Sequence, residues 1–191
     1  MAERENSMEA AAERLLEAAL PHVAFDGWSE ATLRAAMADS GTAEGLAHAL
    51  YPRGGVDLAV AYHRRGDAGM RAALAAEDLS ALRFRDRIAR AVTLRLARSE
   101  RELVRRGSAL FALPQHAVEG AGLIWGTADA IWTALGDTAR DLDWYTKRAS
   151  LSAVYGATVL FWLGDGDDGT ATAEFLDRRI ENVMAFEKAK A

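Results

Sequence analysis

The sequence predicts an all-α protein. Apolar residues recur at helical spacing along nearly all of its 191 residues, about a fifth of the residues are Ala, and only three are Pro. Ala has the best helix propensity, and the β-branched residues that favour strands are sparse. Half the residues are hydrophobic, which suits one medium domain with a real core and room for a small cavity.

The elements follow from Gly, Pro and Asp punctuation. A first helix is expected over about residues 7–24, with Asn6 and Glu9 placed as a capping box. A second begins after Ser29 and stops near Ser40-Gly41; a short third follows Thr42 and ends before Pro52. A fourth covers about residues 56–76. A long fifth, about 80–106, aligns Phe84, Ile88, Val92, Leu96 and Leu103 on one stripe. Pro114 opens a turn before a helix over about 117–135; another runs from 141 to 163, and a last one from 170 to 188, started by Asp168 or Thr170.

Two segments are greasier than the rest. Over 117–135, Val118, Gly122, Trp125, Trp132 and Leu135 share one face, while Leu123, Ile124 and Ile131 occupy the other, so burial nearly all round is expected. The apolar run 151–163 is short of the roughly twenty residues that span a bilayer. These helices form plain core, a dimer interface or the wall of an apolar cavity, with Gly122, Gly126 and Gly156 leaving room. Trp125, Trp132, Tyr155 and Trp162 are the residues their helix faces nominate as a lipid-binding lining.

Several chemistries are excluded. There is no Cys, so disulfides, thiolate metal sites and cysteine nucleophiles are absent. The four His form no Glu-x-x-His pair, so the carboxylate di-iron site of a helical bundle cannot be built. The run Asp165-Gly-Asp-Asp-Gly169 places Gly169 and Leu176 where a calcium loop needs oxygen ligands. No nucleophile triad or phosphate-cradling glycine loop occurs, so no catalytic residue, cofactor or metal is assigned. The first seventeen residues carry five Glu against two Arg, opposite to a targeting peptide.

The first fifty residues have the helix-turn-helix rhythm of TetR-type repressors. Between Phe25 and Gly55, however, Asp26, Glu30, Asp39 and Glu44 face only Arg34 and Arg53. A recognition helix must neutralise phosphates and reach base edges, and this segment offers Glu44 and His48 instead. With a net charge of −5 there is no general pull toward nucleic acid either. Nine Arg between positions 83 and 106 form a basic band, read as a solvated face or a contact for lipid headgroups or an acidic partner. At 141–148, Asp141, Trp144, Tyr145 and Arg148 share one helix face; Trp144 and Arg148 are placed for a cation–π contact, and the group has hot-spot composition.

Asp129-Ala-Ile-Trp132, Leu135-Gly-Asp137, Asp141-x-Asp-Trp-Tyr-Thr-Lys-Arg-Ala149 and Phe175-Leu-Asp-Arg-Arg-Ile-Glu-Asn-Val-Met184 resemble the COQ9 family, the lipid-binding accessory proteins of coenzyme Q synthesis. The likeness is close over about 110–184 and looser but co-linear toward the N-terminus. It implies a TetR-like fold with a helix-turn-helix remnant over 1–55 and a helical lipid-binding and dimerisation body over 56–191, in one continuous domain. It also implies a homodimer without enzymatic activity that holds an isoprenoid quinone or precursor in an apolar cavity. Such a protein presents its lipid to a di-iron hydroxylase of ubiquinone biosynthesis. Asp141, Trp144, Tyr145 and Arg148 match the partner-facing patch. Phe175, Leu176, Ile180, Val183 and Met184 match an amphipathic, membrane-engaging helix, whose alternative use is docking on the protein's own body. Acidic and basic residues balance in that helix, and a long tail and import sequence are lacking, so a bacterial cytoplasm with peripheral contact at the inner membrane is expected. The rival reading is a ligand-responsive TetR-type regulator; an enzyme acting on the quinone ring stands third.

Overall fold

The computed structural model describes residues 2–138, 140, 142–166 and 169–190, with side chains over 6–138, 140, 142–166 and 169–183. Among them every regular element is a helix: α1 (Ala2–Asp26), α2 (Glu30–Ser40), α3 (Glu44–Leu50), α4 (Gly55–Ala76), α5 (Phe84–Leu96), α6 (Arg101–Phe111), α7 (Ala117–Ala134), α8 (Leu142–Gly164) and α9 (Thr170–Lys190). The all-α class is therefore as the sequence predicts. The chain forms two compact units, Met1–Arg65 with Glu100–Val118, and Gly66–Ser99 with Glu119–Ala191. The expected N-terminal segment 1–55 lies whole within the first.

In the first unit, α1 packs on α2, α3 and α6. Leu15, Leu16, Val23, Leu33, Leu58 and Leu103 fill its core. Local chemistry sets the helix ends. Ser29 caps α2 by accepting from the Thr32 amide at 3.3 Å, and Gly41 ends it at φ 65°. Trp28 follows the Gly27 turn into the core, where its indole N–H donates to the Leu103 carbonyl at 3.1 Å. Gly55 sits beneath it: a Cβ there would stand 2.3 Å from the Trp28 carbonyl carbon and the Ser29 amide nitrogen, so only glycine fits. The expected start of α1 is corrected, because the helix begins at Ala2 and Asn6 lies inside it rather than capping it.

The second unit is built around a buried ion pair. Arg95 donates to Asp67 at 2.6 Å, and the Thr127 hydroxyl donates to the same carboxylate oxygen at 2.9 Å, joining α4, α5 and α7. Both charged groups are almost fully covered, so removing one would strand the other at a cost of about 3–5 kcal/mol. Gly66 makes room for the guanidinium, since a Cβ there would meet its carbon at 2.5 Å. Burial also raises the phenol of Tyr155, which lies against this cluster.

The single helix expected over 80–106 is two helices. Before it, Asp78 accepts from the Ser80 amide and Arg87 donates to the Leu82 carbonyl, holding 78–83 as a loop. After Leu96, the Arg98 and Ser99 amides turn back to the Arg95 and Leu96 carbonyls, and the Ser99 hydroxyl also donates to Arg95's carbonyl. The Glu100 amide is taken by the Tyr62 hydroxyl at 2.8 Å, and α6 starts from there. The all-round burial expected of α7 is also corrected. Leu123, Thr127 and Ile131 are buried, but Val118 is 87% exposed, and Cβ atoms at Gly122 and Gly126 would meet nothing within 4 Å. Among the described residues this outer face, with Val118, Gly122 and Gly126, is left uncovered.

Tyr51 supplies a pH test of the first unit. Its hydroxyl donates to the Ala12 carbonyl at 2.9 Å. Burial, and secondarily the Glu13 carboxylate, push the phenol from 10.0 to about 12, against the pull of Arg65. A raised folded-state pKa means that this contribution is complete below pH 10 and fades between pH 10 and about 12. Urea melts across that range should show declining stability, and Tyr51→Phe should flatten the decline.

Candidate functional site

Four helices of the second unit line a half-open cavity of about 430 Å³. Ile88 of α5, Trp132 of α7, Leu151 and Val154 of α8, and Ile180 and Val183 of α9 give it apolar walls. Phe84, half exposed, sits at its edge with its ring 5.4 Å from that of Trp132. Arg85, Asp143, Thr146, Lys147 and Ser150 supply the polar part of the lining. Its volume falls within the roughly 300–1,000 Å³ usual for small-molecule sites.

Of the four residues nominated as a lipid lining, Trp132 lies in this wall, whereas Trp125, Tyr155 and Trp162 are not among its lining residues. Tyr155 is turned into the core beside Asp67 and Arg95. Trp125, two turns before Trp132 on the same face of α7, has its ring 5.9 Å from that of Trp144. The sequence reading missed Ile88, Leu151 and Val154, whose spacing marks them only as core.

The cavity wall continues into the aromatic patch. The Trp132 indole N–H donates to the Lys147 carbonyl at 3.1 Å, and the Lys147 ammonium lies over the same indole, 5.3 Å from its centroid. Lys147 then reaches Asp137 at 2.8 Å, and Arg148 reaches the other oxygen of Asp137 at 3.0 Å and Asp129 at 2.6 Å. The Arg148 guanidinium carbon stands 4.1 Å over the Trp144 ring, so the expected cation–π contact is present. Tyr145 meets Trp144 edge-on at 4.8 Å and is 61% exposed. Arg148 itself is only 2% exposed, so it braces Trp144 from beneath instead of facing outward. Asp141 lies outside the described residues. Leu142, 79% exposed beside this patch, is an apolar contact point that the sequence reading passed over.

The face of α9 matched to a membrane helix is docked on the protein. Leu176 and Ile180 are buried, Phe175 stacks on Phe161 at 4.4 Å, and Val183 lines the cavity; the side chain of Met184 is outside the described residues. Asp165 caps this helix, accepting from the Thr172 amide at 2.8 Å and from its hydroxyl. Asp168, one of the two caps expected, is outside the described residues.

The basic band is largely consumed internally: Arg83 pairs with Asp86, Arg90 with Glu77 and Arg106 with Glu102, while Arg95 is buried on Asp67. On the first unit, Glu13, Arg14, Glu17 and Asp39 line a shallow groove, where Glu13 and Glu17 pair with Arg65 and Asp39 with His22. No helix among the described residues is long and apolar enough to cross a membrane, and no cluster of three or more potential metal ligands occurs among them.

Residues 117–187 match the family model described as COQ9. The chain is 27% identical over 183 residues to the mitochondrial ubiquinone biosynthesis protein COQ9 of Drosophila melanogaster, a match covering 91% of this chain and 55% of that protein. It is 33% identical over 115 residues to the probable mitochondrial ubiquinone biosynthesis protein coq9 of Dictyostelium discoideum, covering 59% of this chain and 38% of that one. With COQ9 of Rattus norvegicus it shares 35% identity over 80 residues, covering 41% and 26%. The chain thus spans about half the length, or less, of the curated relatives it matches.

Asp137 is the testable hub of this region. Asp137→Ala should cost roughly 3 kcal/mol in urea denaturation, because buried Arg148 loses one of its two carboxylates. The near-ultraviolet circular dichroism of the tryptophans should change with it.

Proposed function

From the match of residues 117–187 to the COQ9 family, we propose that this chain is a non-catalytic accessory protein of ubiquinone biosynthesis that holds an isoprenoid quinone precursor and presents it to a partner hydroxylase. The observation that carries the reading is the apolar cavity walled by Ile88, Trp132, Val154 and Ile180. Transfer of hydrocarbon from water gains about 0.8 kcal/mol per CH₂, so two isoprene units contribute on the order of 6–8 kcal/mol before ordering costs. The tail needs no polar contact to bind.

The exposed Tyr145 and Leu142, with Trp144 held behind them, are the surface proposed to meet the di-iron hydroxylase. Aromatic residues braced by a buried cation keep their shape on binding, which lowers the ordering cost. The uncovered outer face of α7 supports a homodimer as the working assembly. The TetR-like reading rests on the order and caps of α1, α2 and α3, and the same feature favours the regulator alternative. Glu44 and His48 on α3 weigh against that alternative, and a mobility-shift assay at low salt separates the two. Peripheral membrane contact through α9 requires that helix to release Leu176 and Ile180 from the protein, so cavity wall and membrane anchor are exclusive uses of one face.

Native mass spectrometry of the purified protein should show a bound isoprenoid lipid. Val154→Trp, which fills the cavity, should lower uptake of added farnesol at least tenfold while the helical circular dichroism stays unchanged. Lipid-free preparations that also fail to take up farnesol would refute the carrier reading. Trp144→Ala should abolish co-purification with the hydroxylase and leave farnesol uptake intact.

A further inference from the structure

The polar part of the cavity lining is not electrically even. Lys147 is engaged, with its ammonium 2.8 Å from Asp137. Asp143 has interactions of its own, and the Thr146 hydroxyl donates to the Leu142 carbonyl at 3.1 Å. Arg85 is different. Its side chain is only 25% exposed, yet among the described residues its guanidinium makes no hydrogen bond. Its ion-pair contact is Asp86 Oδ1 at 3.7 Å, and that carboxylate already accepts from Arg83 at 2.7 and 3.1 Å. A guanidinium carries five N–H donors, and those of Arg85 are open to solvent at the pocket lining, available to a ligand.

We propose that the cavity selects isoprenoids whose head carries an acidic oxygen, carboxylate or phosphate, with Arg85 as the group that receives it. The inference rests on the reading of the cavity as a tail site and adds its head-group chemistry. The tail lies along Ile88, Leu151, Val154 and Ile180, and the head turns toward Arg85, with the Ser150 hydroxyl in the same lining as a second donor. A planar fork of donors also favours two-oxygen heads over a single hydroxyl.

The test is calorimetric titration at neutral pH with three tail-matched probes: farnesol, farnesoic acid and farnesyl phosphate. At least one anionic probe should bind about tenfold more tightly than farnesol, the scale of one charge-assisted hydrogen bond. Arg85→Gln should erase that advantage without weakening farnesol, and Arg85→Lys should keep part of it, which separates lost charge from lost fold. Preference for one anion over the other identifies the head group. Equal binding of all three probes, or an advantage that survives in Arg85→Gln, overturns the proposal while leaving the tail site standing. Failure of every probe to bind removes the tail site and the proposal together.

Discussion

Two neighbouring cations, Lys147 and Arg148, converge on the carboxylate of Asp137, and the seating of α8 against the end of α7 follows from that. The carboxylate is only 6% exposed, so its charge is tolerable only because both of its oxygens are engaged. Its place is fixed by the turn that ends α7, where Gly136 adopts φ 84° and the Asp137 amide returns to the Trp132 carbonyl at 3.0 Å. From this point Lys147 is laid over Trp132 on the cavity side, and Arg148 over Trp144 on the patch side. Adjacent residues of one helix thus serve two different surfaces, and a single acid sets the orientation of both.

What was legible in the sequence is what is made locally. Ser29 and Gly41 bound α2 because a cap and a left-handed turn need only their immediate neighbours. The Trp144–Arg148 contact could be read because residues four apart on a helix meet whatever lies around them. The split after Leu96 could not. It depends on Tyr62 capturing the Glu100 amide, a contact made across the sequence that no local pattern marks. Arg85 was hidden for a similar reason. Within a run of arginines its composition is indistinguishable from that of Arg83 or Arg87, and only packing makes it part of a cavity wall.

The aromatic residues teach the same distinction. Periodicity put Trp125 and Trp132 on one face of α7, but the burial it implied all round that helix does not hold, with Val118 87% exposed. Trp132 and Trp125 lie two turns apart on one face of α7, one lining the cavity and one against the patch. Tyr155 looked like lining because it is aromatic and lies in a greasy run, but it is spent in the core beside the Asp67–Arg95 pair. Periodicity tells which residues leave water. It does not tell which of several dry destinations each one reaches.

The placement of Ile180 and Val183 in the cavity wall has a consequence for biogenesis. Translation delivers α5, α7 and α8 before α9, so the three earlier walls emerge from the ribosome with their apolar lining uncovered. The apolar lining of the pocket is consequently a nascent-chain liability until its last wall arrives. During that interval the apolar surface that α9 later covers is open to aggregation with neighbouring chains.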